Sequence, residues 1–259
     1  MKCLLISDLH YALKQFDWVS TVAKDFDVVV IAGDHLDISS SVEVRVQITV
    51  ILTYLKRLRA QTQLIVCSGN HDLDARNAAG EKFAKWISKV RQLGLPTDGD
   101  CLTVDGTLFT ICPWWDGPQT REEVGAQFAR DAEKPKDRWV WVYHAPPEGS
   151  PTSWGGEKHF GDTNLVSWIE QYQPDIVLTG HIHQSPFRQG GSWVDQLGST
   201  WVFNSGRQIG PCPAHIVFNT DEQTALWFSL AGAEVVQLNE SLRRPVPELT
   251  ELPTWFRGS

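Results

Sequence analysis

Short apolar runs recur along the chain in two patterns. Cys3 to Ser7, Val28 to Ala32 and Leu64 to Cys67 are apolar on both sides of a strand's pleat, which predicts strands covered on each face. Val42 to Arg59 instead places Val46, Val50, Leu52 and Leu55 at near-helical spacing, and Glu81 to Leu93 does the same with Phe83, Trp86, Ile87 and Val90. Strands alternating with helices predict a largely parallel sheet. Farther along, Cys101 to Val104 and Thr107 to Cys112 flank Asp105-Gly106, the signal of a hairpin. A polar helix is expected from Arg121 to Glu133. Strands are expected at Trp139 to Tyr143 and Asp175 to Thr179, with a helix from Asn164 to Tyr172 between them. Thr200 to Phe203, His215 to Phe218 and Ala225 to Leu230 read as an antiparallel meander. An α/β fold of two packed mixed β-sheets flanked by helices satisfies this order. The main domain is expected over residues 1–237, and 238–259, with its prolines and charges, as an extended C-terminal tail.

Composition narrows the class. The chain of 259 residues is 42% hydrophobic and 21% charged, an ordinary globular balance. Its formal net charge of -8 argues against a stable nucleic-acid complex, which needs a basic footprint, but leaves room for a small phosphorylated substrate if cations reverse the local field. No run is long and apolar enough to span a bilayer, and Asp8 interrupts the start too early for a signal peptide, so no membrane partner and a cytoplasmic location are expected. The 5 cysteines are scattered without a Cys-x-x-Cys pair, and Cys3, Cys67 and Cys112 fall in strand-like runs, so free buried thiols are expected rather than disulfides.

The groups with ligand chemistry gather at predicted strand ends. Asp8 and His10 follow the first strand, Asp34 the second, and Asn70 and His71 the third; His144 follows the Trp139 strand, and His181 and His183 follow the Asp175 strand. Ligands bind at these carboxyl ends in open α/β sheets. Gly33, Gly69 and Gly180 precede three of the clusters, where a missing side chain permits a sharp exit and leaves space for other loops. Imidazole and carboxylate together suit Zn, Mn, Fe or Ni more than Mg or Ca. Any one of these blocks alone is an ordinary turn or helix cap. Five in order, each ending a strand, are a site.

The series Asp8-Leu9-His10, Gly33-Asp34, Gly69-Asn70-His71-Asp72, His144 and Gly180-His181-Ile182-His183 resembles the calcineurin-like metallophosphoesterase superfamily. That resemblance implies a four-layer αββα sandwich and a hydrolase of phosphate esters that uses a hydroxide bridging two metal ions. One ion would be held by Asp8, His10, Asp34 and His183, the other by Asp34, Asn70, His144 and His181. The ions would be divalent or trivalent, Mn, Fe, Zn or Ni, with Mn favoured in vitro. His71 matches the non-ligand histidine that contacts phosphate or protonates the leaving group, with Asp72 as its orienting partner. A small-molecule phosphodiesterase is the leading expectation. A phosphomonoesterase, a phosphoprotein phosphatase or a nuclease of the same superfamily is the alternative, and the complete ligand set argues against a non-catalytic interaction module.

Several residues stay open between two roles. His35 and Asp37 either orient Asp34 or occupy a loop; His159 either covers the site or lies on the surface; His215 reads as a core histidine. Arg207 is a candidate phosphate contact or a surface ion pair. Trp114, Trp115 and Trp154, among 12 tryptophans, either stack on a substrate ring or wall the sandwich. The oligomeric state is not encoded in any motif.

Overall fold

A computed structural model describes residues 1–256. Three parallel strands, β1 (Lys2–Ile6), β2 (Val28–Ala32) and β3 (Gln63–Cys67), form half of one sheet. The connecting segments carry helices α1 (Leu13–Val22) and α2 (Val44–Arg59). α1 is a helix the sequence pattern did not single out. The chain next forms a two-stranded ribbon of β4 (Ala75–Arg76) and β5 (Lys82–Phe83), then α3 (Ile87–Gln92).

The second half supplies β6 (Cys101–Val104), β7 (Thr107–Ile111), α4 (Pro118–Ala132), β8 (Arg138–Val142), α5 (Thr163–Tyr172), β9 (Ile176–Thr179), β10 (Val194–Leu197) and β11 (Thr200–Asn204). It ends with β12 (His215–Asn219), β13 (Thr224–Ser229) and β14 (Gly232–Gln237). Strand order is β14-β13-β12-β1-β2-β3 in one sheet and β10-β11-β9-β8-β7-β6 in the other. The expected hairpin forms at Asp105-Gly106, both with positive φ, as its two-residue turn requires.

Alternation along the strands explains the layers. Cys3, Leu5, Val28, Val30, Ile65 and Cys67 face Phe109, Ile111, Val140, Val142 and Leu178 of the other sheet. Their neighbours Leu4, Ile6, Val29, Ile31, Leu64 and Val66 face outward onto Phe16, Val19, Ile51 and Leu55 of the first helices. On the opposite side Trp139, Trp141 and Val177 face Val124, Phe128, Leu165 and Ile169 of α4 and α5. Trp141 stacks on Phe128 with centroids 3.8 Å apart. A strand buried on both faces needs apolar residues at every position, hence the continuous runs in the sequence. The result is a helix–sheet–sheet–helix sandwich, as the pattern implied.

Two expectations are corrected. Helix does not fill Glu81 to Leu93: Lys82 and Phe83 pair with Ala75 and Arg76, and only Ile87–Gln92 is helical. Glu81 is drawn away to α4, where its carboxylate accepts from the backbone N–H of Gln119 at 2.9 Å and Thr120 at 2.8 Å and caps the helix. Thr200 to Phe203 is not part of the meander. It lies parallel to β9 in the second sheet, and only β12, β13 and β14 form the antiparallel run.

All five cysteines are free, with Cys3, Cys67 and Cys112 buried. No described helix is long and apolar enough to cross a membrane. The segment after Gln237 runs back along the body: Val235 N–H bonds the Pro247 carbonyl at 2.9 Å, and Leu242 and Val246 pack against the inter-sheet core. Trp255 and Phe256 join the apolar layer around α1 and α2, and the Lys2 ammonium bonds the Phe256 carbonyl at 3.1 Å. Residues 257–259 of the tail lie outside the described residues.

Candidate metal centre

β1, β2, β3, β8 and β9 all end at one edge of the sandwich, and the loops leaving them converge there. The backbone is forced. Among the described residues, five of the eight non-glycine positions with positive φ are Asp8, His10, Tyr11, Asp34 and His181, all in these loops. Such conformations cost about 1–3 kcal/mol each and persist only where surroundings hold them. Here the hold is explicit: His10 N–H bonds the Asp34 carbonyl at 2.8 Å, and Tyr11 N–H bonds that of His35 at 2.9 Å. Gly33, with φ 85°, has no room for a Cβ because the His144 ring lies against it.

The carboxylates tie loop to loop as well. Asp34 Oδ1 accepts from His71 N–H at 2.8 Å, while Asp8 accepts from His181 N–H at 3.0 Å and 3.1 Å. Asp72 is fully buried, and its oxygens accept from the backbone N–H of Gly69 at 2.9 Å, His35 at 3.1 Å and Leu36 at 3.1 Å. The expectation that Asp72 orients the His71 ring is therefore corrected. Its acceptor capacity is spent on three backbone groups that join the second and third loops.

Two groups of side chains result, and they share Asp34. Asp8, His10, Asp34 and His183 bring one ligand atom each within 4.8 Å of one another, and so do Asp34, His144 and His181. The same oxygen, Asp34 Oδ2, lies 3.5 Å from His10 Nε2 and 3.3 Å from His144 Nε2. His10 Nε2 and His183 Nε2 are 2.9 Å apart, and His183 Nε2 is 3.3 Å from Asp8 Oδ1. His144 Nδ1 lies 2.7 Å from the Ala32 carbonyl, which can only accept, so Nδ1 carries the hydrogen and Nε2 faces the centre. That Nε2 is buried with no hydrogen-bond partner, as is Asn70 Oδ1. Buried polar atoms are seldom left unpaired. Unpaired buried polar atoms, with two carboxylates and four imidazoles gathered at the same edge, fit a pair of cations.

Electrostatics agree. Burial alone would raise the Asp8 and Asp34 carboxyls, yet the surrounding histidines hold both below the usual carboxylate range. Burial opposes charge on His144, but Asp34 and Asp8 outweigh it and hold that imidazole up at about 9. His10 and His181 are pushed down to about 4, chiefly by burial.

The remaining expected residues separate into near and far. Asp37 lies beside His10 and His71 within the same 4.8 Å limit, whereas His35 is fully buried and turns Nε2 to the Cys67 carbonyl at 2.9 Å. Arg207 is exposed at the rim, its backbone N–H on the His183 carbonyl at 3.0 Å. Trp114 stands over the histidines, its ring centroid 5.1 Å from that of His181 and 5.7 Å from that of His144. Trp115 is a wall residue held by Tyr143 and Asp162. Trp154 is turned away, with Nε1 on the Gln189 carbonyl at 2.9 Å and its ring against His159. His159 in turn bonds Ser153 Oγ at 2.9 Å. His215 is a core histidine stacked on Phe228, pushed down to about 4 by burial. Sequence reasoning missed Tyr143, Phe160 and Asp162 beside the centre. Asp162 carried one signal, an aspartate immediately before a helix, but that points to a cap.

The fold and this edge of clustered histidines and acids define a metal-dependent hydrolase of phosphate esters. The sequence matches the calcineurin-like phosphoesterase family over residues 1–185, and the chain belongs to that family. No curated protein matches it. Among solved structures, the fold is similar to that of TT1561 of Thermus thermophilus, with a TM-score of 0.58 and 12% identity over 92% of this chain and 99% of that one. It is also similar to the purple acid phosphatase PPD1 of yellow lupin, with a TM-score of 0.52 and 13% identity over 96% of this chain and 52% of that one.

Asp72→Ala leaves three buried N–H groups unpaired. It is expected to lower stability in urea unfolding by about 3 kcal/mol. A loss below about 0.5 kcal/mol would mean that the loops are not tied through this carboxylate.

Proposed function

We propose that the protein is a binuclear phosphodiesterase for small substrates, with Asp8, His10, Asp34 and His183 around one ion and Asp34, Asn70, His144 and His181 around the other. The observation that carries this reading is Asp34 Oδ2, which faces an imidazole nitrogen of each group. Imidazole with carboxylate suits Mn, Fe, Zn or Ni, and Mn is the first choice for reconstitution. When bound, two such ions polarise the phosphoryl oxygens and lower the pKa of water.

The chain's own residues do the rest. Asp8 and Asp34, braced by the N–H groups of His181 and His71, keep the loops from spreading under the charge. Ala32 fixes the His144 tautomer, so Nε2 is presented without rearrangement. In this reading His71 holds a proton for the leaving oxygen; what supports it is a ring edge-on to His10 at 4.5 Å and an Nδ1 with no protein partner. Arg207 at the rim contributes positive potential that draws the anionic ester inward. Support for a diester over a monoester comes from the cavity beside His144 and His181, which offers room for an organic group on that side.

With Mn-reconstituted protein, bis-aryl phosphate is expected to be cleaved at higher kcat/KM than aryl monophosphate. A strong preference for the monoester would overturn the diester reading. In the same assay His71→Ala should slow esters with poor leaving groups by about 10²–10³-fold and 4-nitrophenyl esters far less. Equal losses with full metal content would remove the proton-donor role.

Metal affinity should also depend on pH in a defined direction. The metal-free His144 imidazole, held up at about 9, carries a proton at neutral pH that must leave before Nε2 can bind a cation. Affinity is therefore expected to rise roughly tenfold per pH unit from 7 to 9 and then level off, while His10 and His181, already neutral, add nothing in that window. Calorimetric titration in buffers of different ionisation enthalpy measures the released proton. A flat affinity across that range contradicts the assignment.

A further inference from the structure

A cavity of about 380 Å³ opens beside the second histidine pair and is lined by His144 and His181 themselves. Trp114, Trp115, Tyr143 and Phe160 supply aromatic walls, and apart from the clustered histidines its charged residues are the acids Asp116 and Asp162. Among the described residues, no lysine or arginine lines it. A larger neighbouring cavity of about 870 Å³ shares Trp114 but has Lys85, Arg91 and Arg130 in its walls and none of the clustered histidines.

The state of Asp162 sets the field. It is 8% exposed, and both its oxygens only accept: Oδ2 from the Tyr143 hydroxyl and from Trp115 Nε1 at 3.0 Å, Oδ1 from Asn164 N at 2.7 Å and Asn164 Nδ2 at 3.2 Å. An acceptor-only group with four donors is a carboxylate. Among the described residues neither Asp162 nor Asp116 has a cationic partner within ion-pair distance. The Lys158 ammonium already lies over Phe160, 4.8 Å from its centroid, but the faces of Trp114, Trp115 and Tyr143 stand beside two carboxylates that have no ion-pair partner, a combination that attracts an organic cation. The same charges repel an anionic substituent.

We infer that this cavity receives the alkylammonium group of a phosphoester whose phosphate lies at the clustered histidines, with Trp114 as the face between the two. The inference rests on the phosphoesterase reading of the site but not on the choice between diester and monoester.

The test compares a cation with its neutral isostere. Choline and 3,3-dimethyl-1-butanol are titrated calorimetrically into the metal-free and the Mn-loaded chain, so binding is read without turnover. Choline is expected to bind about tenfold more tightly, and Trp114→Leu and Asp162→Asn should each shrink that gap. Should Asp162→Asn fail to fold, Asp116→Asn tests the same charge from the rim. Hydrolysis follows with 4-nitrophenyl phosphocholine against 3,3-dimethylbutyl 4-nitrophenyl phosphate, and with phosphocholine against 3,3-dimethylbutyl phosphate. A preference for the cation in either series supports the inference. Cleavage of the monoesters alone would sink the diester reading while leaving the cavity test intact. Equal binding of choline and its isostere, or tighter binding of adenosine than of choline, overturns it.

Discussion

Two buried carboxylates, Asp8 and Asp34, share one pocket with four imidazoles, and the molecule's functional edge is organised around that crowding. Buried charge is tolerated only when paired and hydrogen-bonded. Each carboxylate therefore accepts from the backbone of a neighbouring loop as well as facing the histidines. The left-handed backbone at Asp8, His10, Asp34 and His181 is the local cost of aiming so many side chains inward. His144 Nε2 and Asn70 Oδ1 are among the buried polar atoms left without a protein partner, and a pair of cations at this edge would satisfy them.

The sandwich makes this possible because its sheets are rigid and buried on both faces. Side chains alternate between the inter-sheet core and the helix layers, so each strand is fixed in height and twist before its loop begins. Loops that differ widely in sequence position, from Asp8 to His183, then meet within a few ångströms. The larger arc of the chain serves this edge indirectly, with Trp141 on Phe128 and Trp193 beside Phe203 filling the layers behind it.

Much of this was legible in the sequence, for physical reasons. Strands buried on both sides must be continuously apolar, so β1, β2, β3, β8 and β9 announced themselves, and the polar residues that end them stood out by contrast. Sheet membership was not legible. Thr200–Asn204 is apolar in the same way wherever it pairs, and only its crossover from β9 puts it parallel in the second sheet. Glu81 to Leu93 misled because Trp86 and Phe83 are apolar for tertiary reasons: Trp86 Nε1 reaches the Asp72 carbonyl at 3.0 Å, and Glu81 caps a distant helix. Asp72 misled through its place beside His71, since adjacency in sequence says nothing about which way a carboxylate turns. The aromatic cavity was half legible. Trp114 and Trp115 were visible as a pair, but Tyr143 and Asp162 join them only across the fold.

In the proposed loaded state Asp34 stands between two cations. Crystals of the Mn-reconstituted protein, measured at a wavelength where manganese scatters anomalously, test it directly. Two anomalous peaks are expected, one on each side of the Asp34 carboxylate, with His10 and His183 at one and His144 and His181 at the other. A single peak, or two peaks that do not share Asp34, would contradict the account.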